Sequence, residues 1–322
     1  MSTPAQGKSS VRTLVRGMQE SDLPAARTIL SLAFGTFLGM PDPSTFASDK
    51  NYVGTRWKAN PEAALIAEAE GAVVGSNFAS NWGSFGFFGP LTVQPEFWNR
   101  GVAQRLLGAT MDLFERWGVR EAGLFTFAQS ARHIHLYQKF GFWPRFLTAV
   151  MEKPISRRRE GGWLKYSALN EGERRDALDA CSVLTDSIFE GLDVSGEIRS
   201  VRDQQLGETV LLWNGDTLDA FAVCHCGEGT EAGSGSCYMK FAAVKSGTKA
   251  DAIFEQLLNA CETLAAEKGL EKVEAGVNLG RSGAYRRMLE QGFRTQIQGV
   301  AMHRDDLPGY NRPDVYIVDD WR

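Results

Sequence analysis

The chain has 322 residues, of which 43% are hydrophobic and 23% are charged, and its formal net charge at pH 7 is −4. These values are typical of a globular protein whose length favours two domains over one. The weakly acidic net charge argues against nucleic acid as the main partner. The sequence contains no apolar run of about eighteen residues, so it predicts no membrane span.

The first predicted elements lead up to a strand rich in glycine and aromatic residues. Residues 1–10 lack the apolar segment of a signal peptide and are predicted to form a disordered tail. Ser21 favours a helix start, because its hydroxyl can accept a hydrogen bond from a backbone N–H that has no partner within the helix. In order, we predict a strand over Val11–Arg16, a helix from Ser21, a helix near Ser44–Trp57, a hairpin that turns at Glu70-Gly71, and a strand over Trp82–Val93.

A polar turn with a glycine at position 101 then joins this strand to an amphipathic helix. The first backbone N–H groups of a helix have no acceptor within it, so they point outward together and can bind a phosphate group. Gly101 lets a bulky anion approach the main chain, Ala103 keeps the next turn small, and Arg100 adds positive charge. The turn therefore predicts a site for a pyrophosphate-bearing cofactor.

The helix is predicted to end at Gly118, and a strand over Ala122–Phe127 and a helix near Arg132–Phe140 follow. Together with the turn, these elements resemble the core of the GNAT superfamily of acyl-CoA-dependent N-acyltransferases, over residues 91–142. The motifs that carry the resemblance are Val93-x-Pro95 at the strand end, x-x-Gly101-x-Ala103 in the turn, and Leu136-Tyr137-x-x-x-Gly141-Phe142 at the end of the last helix.

The resemblance implies an α/β fold with a mixed, mostly antiparallel sheet flanked by helices, acetyl-CoA as the acyl donor and a primary amine as the acceptor. It gives Tyr137 the position of the general acid, where its hydroxyl could protonate the CoA sulfur; alternatively, Tyr137 is a half-buried aromatic that anchors its helix. The cofactor contacts that it implies are Leu91, Thr92 and Val93 for the pantetheine arm, Arg100, Gly101, Val102, Ala103 and Gln104 for the pyrophosphate, and Ser130 as a further contact.

The sequence departs from the family pattern in two places. Trp98 stands where the family usually has Gln or Arg, which bears on the affinity for CoA. Residues 81–90 contain no carboxylate that could act as the general base. A water chain, or selection of an amine that is already neutral, would replace that base.

The histidines, aspartates and aromatic residues near the motifs could belong to a site or could be purely structural. His133 and His135 lie on different faces of a helix and are interpreted as surface residues. Asp42 and Asp49 either line a site for a cationic acceptor or are solvated. A set of aromatic residues either surrounds an apolar acceptor pocket or forms a dense core; they are Phe34, Phe37, Trp82, Phe85, Phe87 and Phe88.

The C-terminal half matches the N-terminal half at a constant offset of 151 residues. Because the matches fall at a strand end, a helix face, a helix stop and the closing Gly-Phe pair, they predict an internal duplication of one domain. The matched pairs are Val93 with Val244, Leu106-Leu107 with Leu257-Leu258, Gly118 with Gly269, and Gly141-Phe142 with Gly292-Phe293.

The second copy has lost the residues that would bind a pyrophosphate. A phenyl ring where the turn must be small, and a carboxylate where an anion must sit, both oppose binding, so we expect cofactor binding in the first half only. The replacements are Gly101 by Ala252, Ala103 by Phe254, Arg100 by Asp251 and Tyr137 by Met288.

The second copy also holds a Gly/Ser-rich insertion at residues 227–236, which is predicted to be a flexible surface loop. The five cysteines all lie in this half, and their odd number indicates reduced thiols in a cytoplasmic protein. Cys224-His225-Cys226 could suggest a metal site. Residues alternate faces along a strand, however, so we favour core packing and expect no metal.

The expected function is that of an acetyl-CoA-dependent N-acyltransferase with an active N-terminal domain and a structural C-terminal domain. The alternatives are a non-catalytic acyl-CoA-binding sensor and an interaction scaffold. The predicted segments are a tail (1–10), a catalytic domain (11–153), a linker (154–163) that includes Arg157-Arg158-Arg159, a degenerate copy (164–304) and an unassigned C-terminal extension (305–322).

Overall fold

A continuous β-sheet runs through the described residues of this computed structural model, which are 12–155 and 162–322. Helices flank the sheet in both halves of the chain. The strands of the N-terminal half are β1 (Leu14–Gly17), β2 (Ala64–Ala69), β3 (Ala72–Trp82), β4 (Phe85–Phe88), β5 (Thr92–Val93), β6 (Glu121–Phe127) and β7 (Phe142–Pro154). Its helices are α1 (Leu23–Phe37), α2 (Tyr52–Ala59), α3 (Val102–Trp117) and α4 (Ala131–Gln138).

The strands of the C-terminal half are β8 (Leu164–Lys165), β9 (Gly207–Asn214), β10 (Thr217–Gly227), β11 (Gly233–Val244), β12 (Lys272–Asn278), β13 (Arg294–Arg304) and β14 (Ile317–Val318). Its helices are α5 (Glu171–Ile188), α6 (Ser195–Asp203), α7 (Ala250–Glu267) and α8 (Ser282–Glu290). From β9 to β13 the C-terminal half follows the order of elements from β2 to β7, except that the single strand β11 stands where the first half has β4 and β5.

The strands lie across the sheet in the order β1-β2-β3-β4-β6-β13-β7-β12-β11-β10-β9-β8, with β5 beside β3 and β14 beside β11. Within the described residues, the pairs β4–β6 and β11–β12 are parallel and the remaining ladders are antiparallel. The predicted fold class, a mixed and mostly antiparallel sheet flanked by helices, is therefore confirmed.

The two halves exchange their long closing strands. Strand β13 of the second half lies between β6 and β7 of the first half, where Val300 pairs with Thr126 on one side and Leu147 on the other. Strand β7 of the first half in turn lies between β13 and β12, where Val150 pairs with Gly276. The sheet of each half is thus completed by a strand from the other half.

Helix α3 packs on this sheet through the apolar stripe that the sequence predicts. Leu106 and Phe114 on this stripe are fully buried, and Thr110 on the same face accepts a hydrogen bond from the buried Asn77 side chain at 2.8 Å. The helix ends at Gly118, whose φ of 66° is left-handed and suits a residue without a side chain. The buried stripe therefore fixes the position of α3 on the sheet.

Three local predictions in the first half are wrong at their boundaries. Ser21 does not cap α1, because it lies inside a short 3₁₀ turn (Glu20–Asp22). Asp22 takes the cap position, and its carboxylate forms an ion pair with Arg16 at 2.7 Å. The helix expected near Ser44–Trp57 is a 3₁₀ turn followed by α2, which begins after the Asn51 cap. The strand expected over Trp82–Val93 is broken into β4 and β5, with β5 pairing with β3.

The prediction of a flexible surface loop at 227–236 is also wrong. Glu231 in this insertion is only 1% exposed, and its carboxylate accepts two hydrogen bonds from Arg56 at 2.9 and 2.8 Å and one from Lys240 at 2.9 Å. A buried carboxylate is tolerated only when it is paired and hydrogen-bonded. The glycine and serine content predicted flexibility, but this ion pair orders the insertion against the first half.

The C-terminal extension is part of the core. Tyr310, Ile317 and Trp321 are buried, and the buried Arg281 guanidinium holds the segment by donating to the Ile317 carbonyl at 2.9 Å and to the Asp319 carboxylate at 2.8 Å. The tail predicted over 1–10 and the cluster Arg157-Arg158-Arg159 lie outside the described residues.

Helix length and hydropathy bear on the membrane question. In the described ranges, no helix combines the length and the apolar character needed to cross a bilayer.

Candidate active site

A large cavity opens where two parallel strands of the first half separate. Strands β4 and β6 are paired as far as Phe88 and Leu124, after which the chain of β4 turns away and β5 pairs with β3 instead. The gap between β5 and the end of β6 is part of a cavity of about 1100 Å³. Such gaps in open sheets are common ligand sites.

The turn predicted to bind phosphate borders this cavity. Gly101 has a φ of 85°, and a Cβ placed there would meet only the Gln104 side-chain oxygen at 3.7 Å, so the space beside the main chain is open. No side chain caps α3 and its first turn holds no acidic residue. Because the Arg105 N–H donates to Gly101, the N–H groups of residues 102–104 precede the first helical hydrogen bond.

Arg100 adds a positive charge beside this turn. Its guanidinium lies 5.3 Å from the centre of the Phe97 ring, and its buried Nε has no hydrogen-bond partner among the described residues. The open main chain of the turn fits a pyrophosphate group, with the charge of Arg100 next to it.

Most of the predicted cofactor residues lie in the cavity wall, but three do not. Thr92 is buried, and its hydroxyl pairs with that of Ser76 at 2.9 Å. Ser130 caps α4 by accepting from the His133 N–H. Arg100, beside the turn, is the third. The predicted residues that line the cavity are Leu91, Val93, Gly101, Val102, Ala103, Gln104 and Tyr137.

Trp98, the departure from the family pattern, ties the turn to the strand. Its indole Nε1 donates to the Val93 carbonyl at 2.7 Å, and the Arg132 guanidinium lies 5.2 Å from its ring centre. In an antiparallel pair of strands, only every second residue forms backbone hydrogen bonds with the neighbouring strand. The Gln94 N–H donates to the Val74 carbonyl of β3, so the backbone N–H and C=O of Val93 point the other way, into the gap. Trp98 therefore occupies a carbonyl on the edge expected to meet the pantetheine arm.

Tyr137 lies on α4 with its ring 5.8 Å from that of Phe88. Burial raises the pKa of its hydroxyl above the ordinary value, and the neighbouring Thr126 hydroxyl opposes this only in part. The hydroxyl is thus protonated at neutral pH, and the raised pKa makes it a weaker acid than a free phenol. The ring packs in the core and the residue lines the cavity, and the general-acid role stays a prediction.

The described part of the cavity wall offers one side-chain carboxylate, that of Asp49. It accepts from the Ser234 N–H at 2.7 Å, and this bond above all holds its pKa below the usual value. Asp42 is exposed and bonds Ser44 instead. Neither carboxylate is placed as a free general base.

The prediction that both histidines lie on the surface is wrong for His133. Its ring is half-buried, 4.8 Å from the ring of Phe37, and burial together with Arg132 lowers its pKa. His133 is therefore neutral at pH 7. His135 is exposed, and both residues border the cavity.

The aromatic residues divide between the two interpretations. Phe34 and Phe37 are half-buried and line the cavity, as does Phe88. The other three are packed against the C-terminal half in a core that includes Trp321, and they are Trp82, Phe85 and Phe87. The sequence could not separate the two groups, because both lie in apolar segments.

The equivalent gap in the second half is filled by the chain itself. Strands β11 and β12 separate after Met239 and Ala275, and β14 pairs with Ala242 and Ala243 at this point. By the 151-residue offset these are the equivalents of Leu91 and Thr92. At the start of α7, Asp251 accepts hydrogen bonds from Tyr316 and Arg287.

The Cys224-His225-Cys226 run is packed rather than arranged around an ion. Cys224 contacts Cys261, and Cys226 contacts Cys237, each at 3.8 Å between sulfurs, while His225 accepts from the Glu231 N–H. Within the described ranges no group of three His, Cys, Asp or Glu side chains is placed to hold a metal.

The sequence model of the acetyltransferase (GNAT) family matches residues 26–142, which include the turn at Gly101 and Tyr137. Residues 26–142 therefore form a domain of the GNAT family. The GNAT match begins within α1 and ends at the closing Gly-Phe motif, so it contains the segments that form the gap between β5 and β6. No curated protein matches the chain significantly in sequence.

Several solved GNAT-like structures share the fold over nearly the whole chain. A candidate acetyltransferase from Pyrococcus horikoshii has a TM-score of 0.66 at 13% identity, with 98% of this chain and 95% of that chain covered. A GCN5-related N-acetyltransferase from Sphaerobacter thermophilus has a TM-score of 0.56 at 14% identity, with 92% and 96% covered. At these identities the likeness concerns the fold alone.

A third solved structure has a more specific name. It is a GCN5-related glucosamine N-acetyltransferase region of a fungal multi-domain β-N-acetylglucosaminidase, with a TM-score of 0.60 at 13% identity and 91% of this chain covered, against 38% of that chain.

Proposed function

We propose that the chain is an N-acyltransferase that moves an acetyl group from acetyl-CoA to a primary amine. The observation that carries the proposal is that the turn at Gly101, with its uncapped helix start, and Tyr137 border the same cavity. The turn is suited to hold a pyrophosphate, and the Tyr137 hydroxyl is suited to donate a proton to a departing thiolate.

In the proposed reaction the amine nitrogen attacks the thioester carbonyl, so that a C–N bond forms and the C–S bond breaks. The main chain at Gly101–Gln104 holds the phosphates and the edge at Leu91–Val93 orients the thioester arm. Tyr137 gives its proton to the sulfur and regains one from solvent. The amine proton leaves to water, since Asp49 is engaged with Ser234.

We further propose that the first half (11–153) is the active domain and the second (164–304) a structural one. The gap between β11 and β12 holds β14, and Asp251 stands at the start of α7, so both features oppose a second cofactor. The second half instead contributes to the first cavity through Gln296, Ile297 and Gln298 of β13, and the C-terminal extension contributes Trp321 and Arg322.

One experiment distinguishes the transferase from the two alternatives, a non-catalytic acyl-CoA-binding sensor and an interaction scaffold. Acetyl-CoA is titrated by calorimetry, and thiol release is then followed with a panel of primary amines. Binding without release on any amine indicates the acyl-CoA sensor, and absence of binding indicates the scaffold. Binding with amine-dependent release supports the transferase.

Tyr137→Phe is expected to lower kcat by about 100-fold or more, because the thiolate then departs without a proton donor. The affinity for acetyl-CoA should not change, since the phosphate contacts lie elsewhere. Steady-state thiol release and calorimetry measure the two quantities. Tyr285→Phe, which removes a hydroxyl on α8 in the other half, serves as the control, and an unchanged kcat in Tyr137→Phe would exclude the acid role.

A further inference from the structure

The cavity wall that remains after the cofactor segments are set aside is rich in aromatic rings. Phe46 stacks on Phe34 at 5.1 Å, Phe34 lies 6.3 Å from Phe127, and Phe127 lies 5.0 Å from Phe37. All of these side chains are half-buried and line the cavity. They form a row, here called the phenylalanine row (Phe34, Phe37, Phe46 and Phe127).

The phenylalanine row differs from the aromatic core next to it. Trp82, Phe85 and Phe87 have their surface covered by protein, whereas the row leaves ring surface open to the cavity. Uncovered apolar surface inside a cavity is stabilised when an apolar ligand replaces the water there. Rings also favour other rings at centroid distances of about 4.5–7 Å.

The charges on the described wall do not suit a polycationic amine. The wall carries one side-chain carboxylate, on Asp49, against the three basic side chains of Lys50, Arg132 and Lys139. An amine with several positive charges would meet more repulsion than this single carboxylate compensates. A chamber of this kind favours an acceptor with a single amine on an apolar body.

The lack of a free general base also favours an acceptor with an apolar body and a single amine. An aromatic-lined chamber disfavours the charged form of an amine, so a bound amine loses its proton more readily than in water. An amine attached directly to an aromatic ring is weakly basic and already neutral at pH 7. Such an acceptor needs no carboxylate to become a nucleophile.

We propose that the acceptor is a weakly basic primary amine carried on an aromatic body, bound against the phenylalanine row. This inference rests on the proposed transferase function and names its substrate class. Acetyl transfer then yields the aromatic amide and free CoA, with the amine proton released to water.

The test compares amines by thiol release from acetyl-CoA with the full chain. p-Toluidine should give a kcat/KM value about 100-fold or more above those of spermidine, glucosamine and a lysine peptide. A preference for any of the last three would overturn the acceptor class and leave the transferase function intact.

A binding measurement separates failure of the acceptor class from failure of catalysis. Calorimetry of p-toluidine with the CoA-saturated protein should detect binding even if no amine is acetylated, in which case the transferase function alone fails. Absence of p-toluidine binding would overturn the acceptor class.

Two variants test whether the phenylalanine row binds the aromatic amine. Phe37→Leu and Phe127→Ala should each raise KM or Kd for the aromatic amine about tenfold and leave acetyl-CoA affinity unchanged. Phe189→Ala is the matched control, since this half-buried ring contacts Phe85 and Tyr310 outside the cavity. Equal effects in Phe37→Leu and Phe189→Ala would contradict the proposal.

Discussion

Gly101→Glu is expected to abolish coenzyme A binding, with a loss of affinity of about 100-fold or more. The left-handed φ of 85° disfavours any side chain, at a cost of about 1–2 kcal/mol. A carboxylate at the start of α3 also cancels the attraction of the helix N-terminus for an anion and repels the pyrophosphate directly. Isothermal calorimetry with CoA measures the loss.

Two further variants separate the causes. Gly101→Ala adds the backbone cost without the charge, so a loss of about tenfold is expected. Ala252→Glu adds a charge at the exposed equivalent position in the second half and should leave CoA affinity unchanged. Retained binding in Gly101→Glu, or a loss in Ala252→Glu equal to that in Gly101→Glu, would show that the turn at Gly101 is not the cofactor site.

Arg56→Met is expected to lower the free energy of unfolding by about 3–5 kcal/mol, because it leaves a buried carboxylate without its main partner. Burial alone would raise the pKa of Glu231, but Arg56 and Lys240 hold it well below the usual value, so the group is charged at neutral pH. Arg56 also donates to the main-chain carbonyls of Gly89 and Arg322. Urea unfolding followed by circular dichroism measures the change.

The ion pair is isolated by a double variant and an exposed control. Arg56→Met combined with Glu231→Gln removes both charges and should recover part of the lost stability. Arg120→Met breaks an ion pair with Glu190 in which both side chains are at least half exposed, so about 0–1 kcal/mol is expected. Similar losses in Arg56→Met and Arg120→Met would mean that burial of the Glu231 carboxylate does not matter.

Because Gly89 precedes the cofactor edge, Arg56→Met should also weaken acetyl-CoA binding.

The cofactor turn could be predicted from sequence because its signal is local. A glycine at a strand-to-helix junction, a small residue two positions later and an apolar stripe on the next helix are encoded within about twenty residues of one another. The hairpin turn at Glu70-Gly71 is another such case, since Gly71 has a φ of 78° and β2 and β3 pair directly across it. Backbone geometry of this kind depends on neighbouring residues alone.

The acceptor side of the cavity was beyond sequence reasoning, because its walls come from distant parts of the chain. Phe34 and Phe85 both stand in apolar segments, and only packing against Phe127 or against Trp321 assigns one to the cavity and the other to the core. His133 was interpreted as a surface residue for the same reason, since its partner Phe37 lies on another helix.

The sequence by itself determined most of the strands and helices of each half and the turn at Gly101 with Tyr137 after it. Only the tertiary structure decided that β7 and β13 are exchanged, that β14 fills the second gap, and that Glu231 is buried. The physical reason is that the edge of a strand accepts any strand of suitable register, so local residues do not specify its partner. Likewise, a carboxylate in a Gly/Ser-rich segment is buried only because Arg56, 175 residues away in sequence, neutralises it.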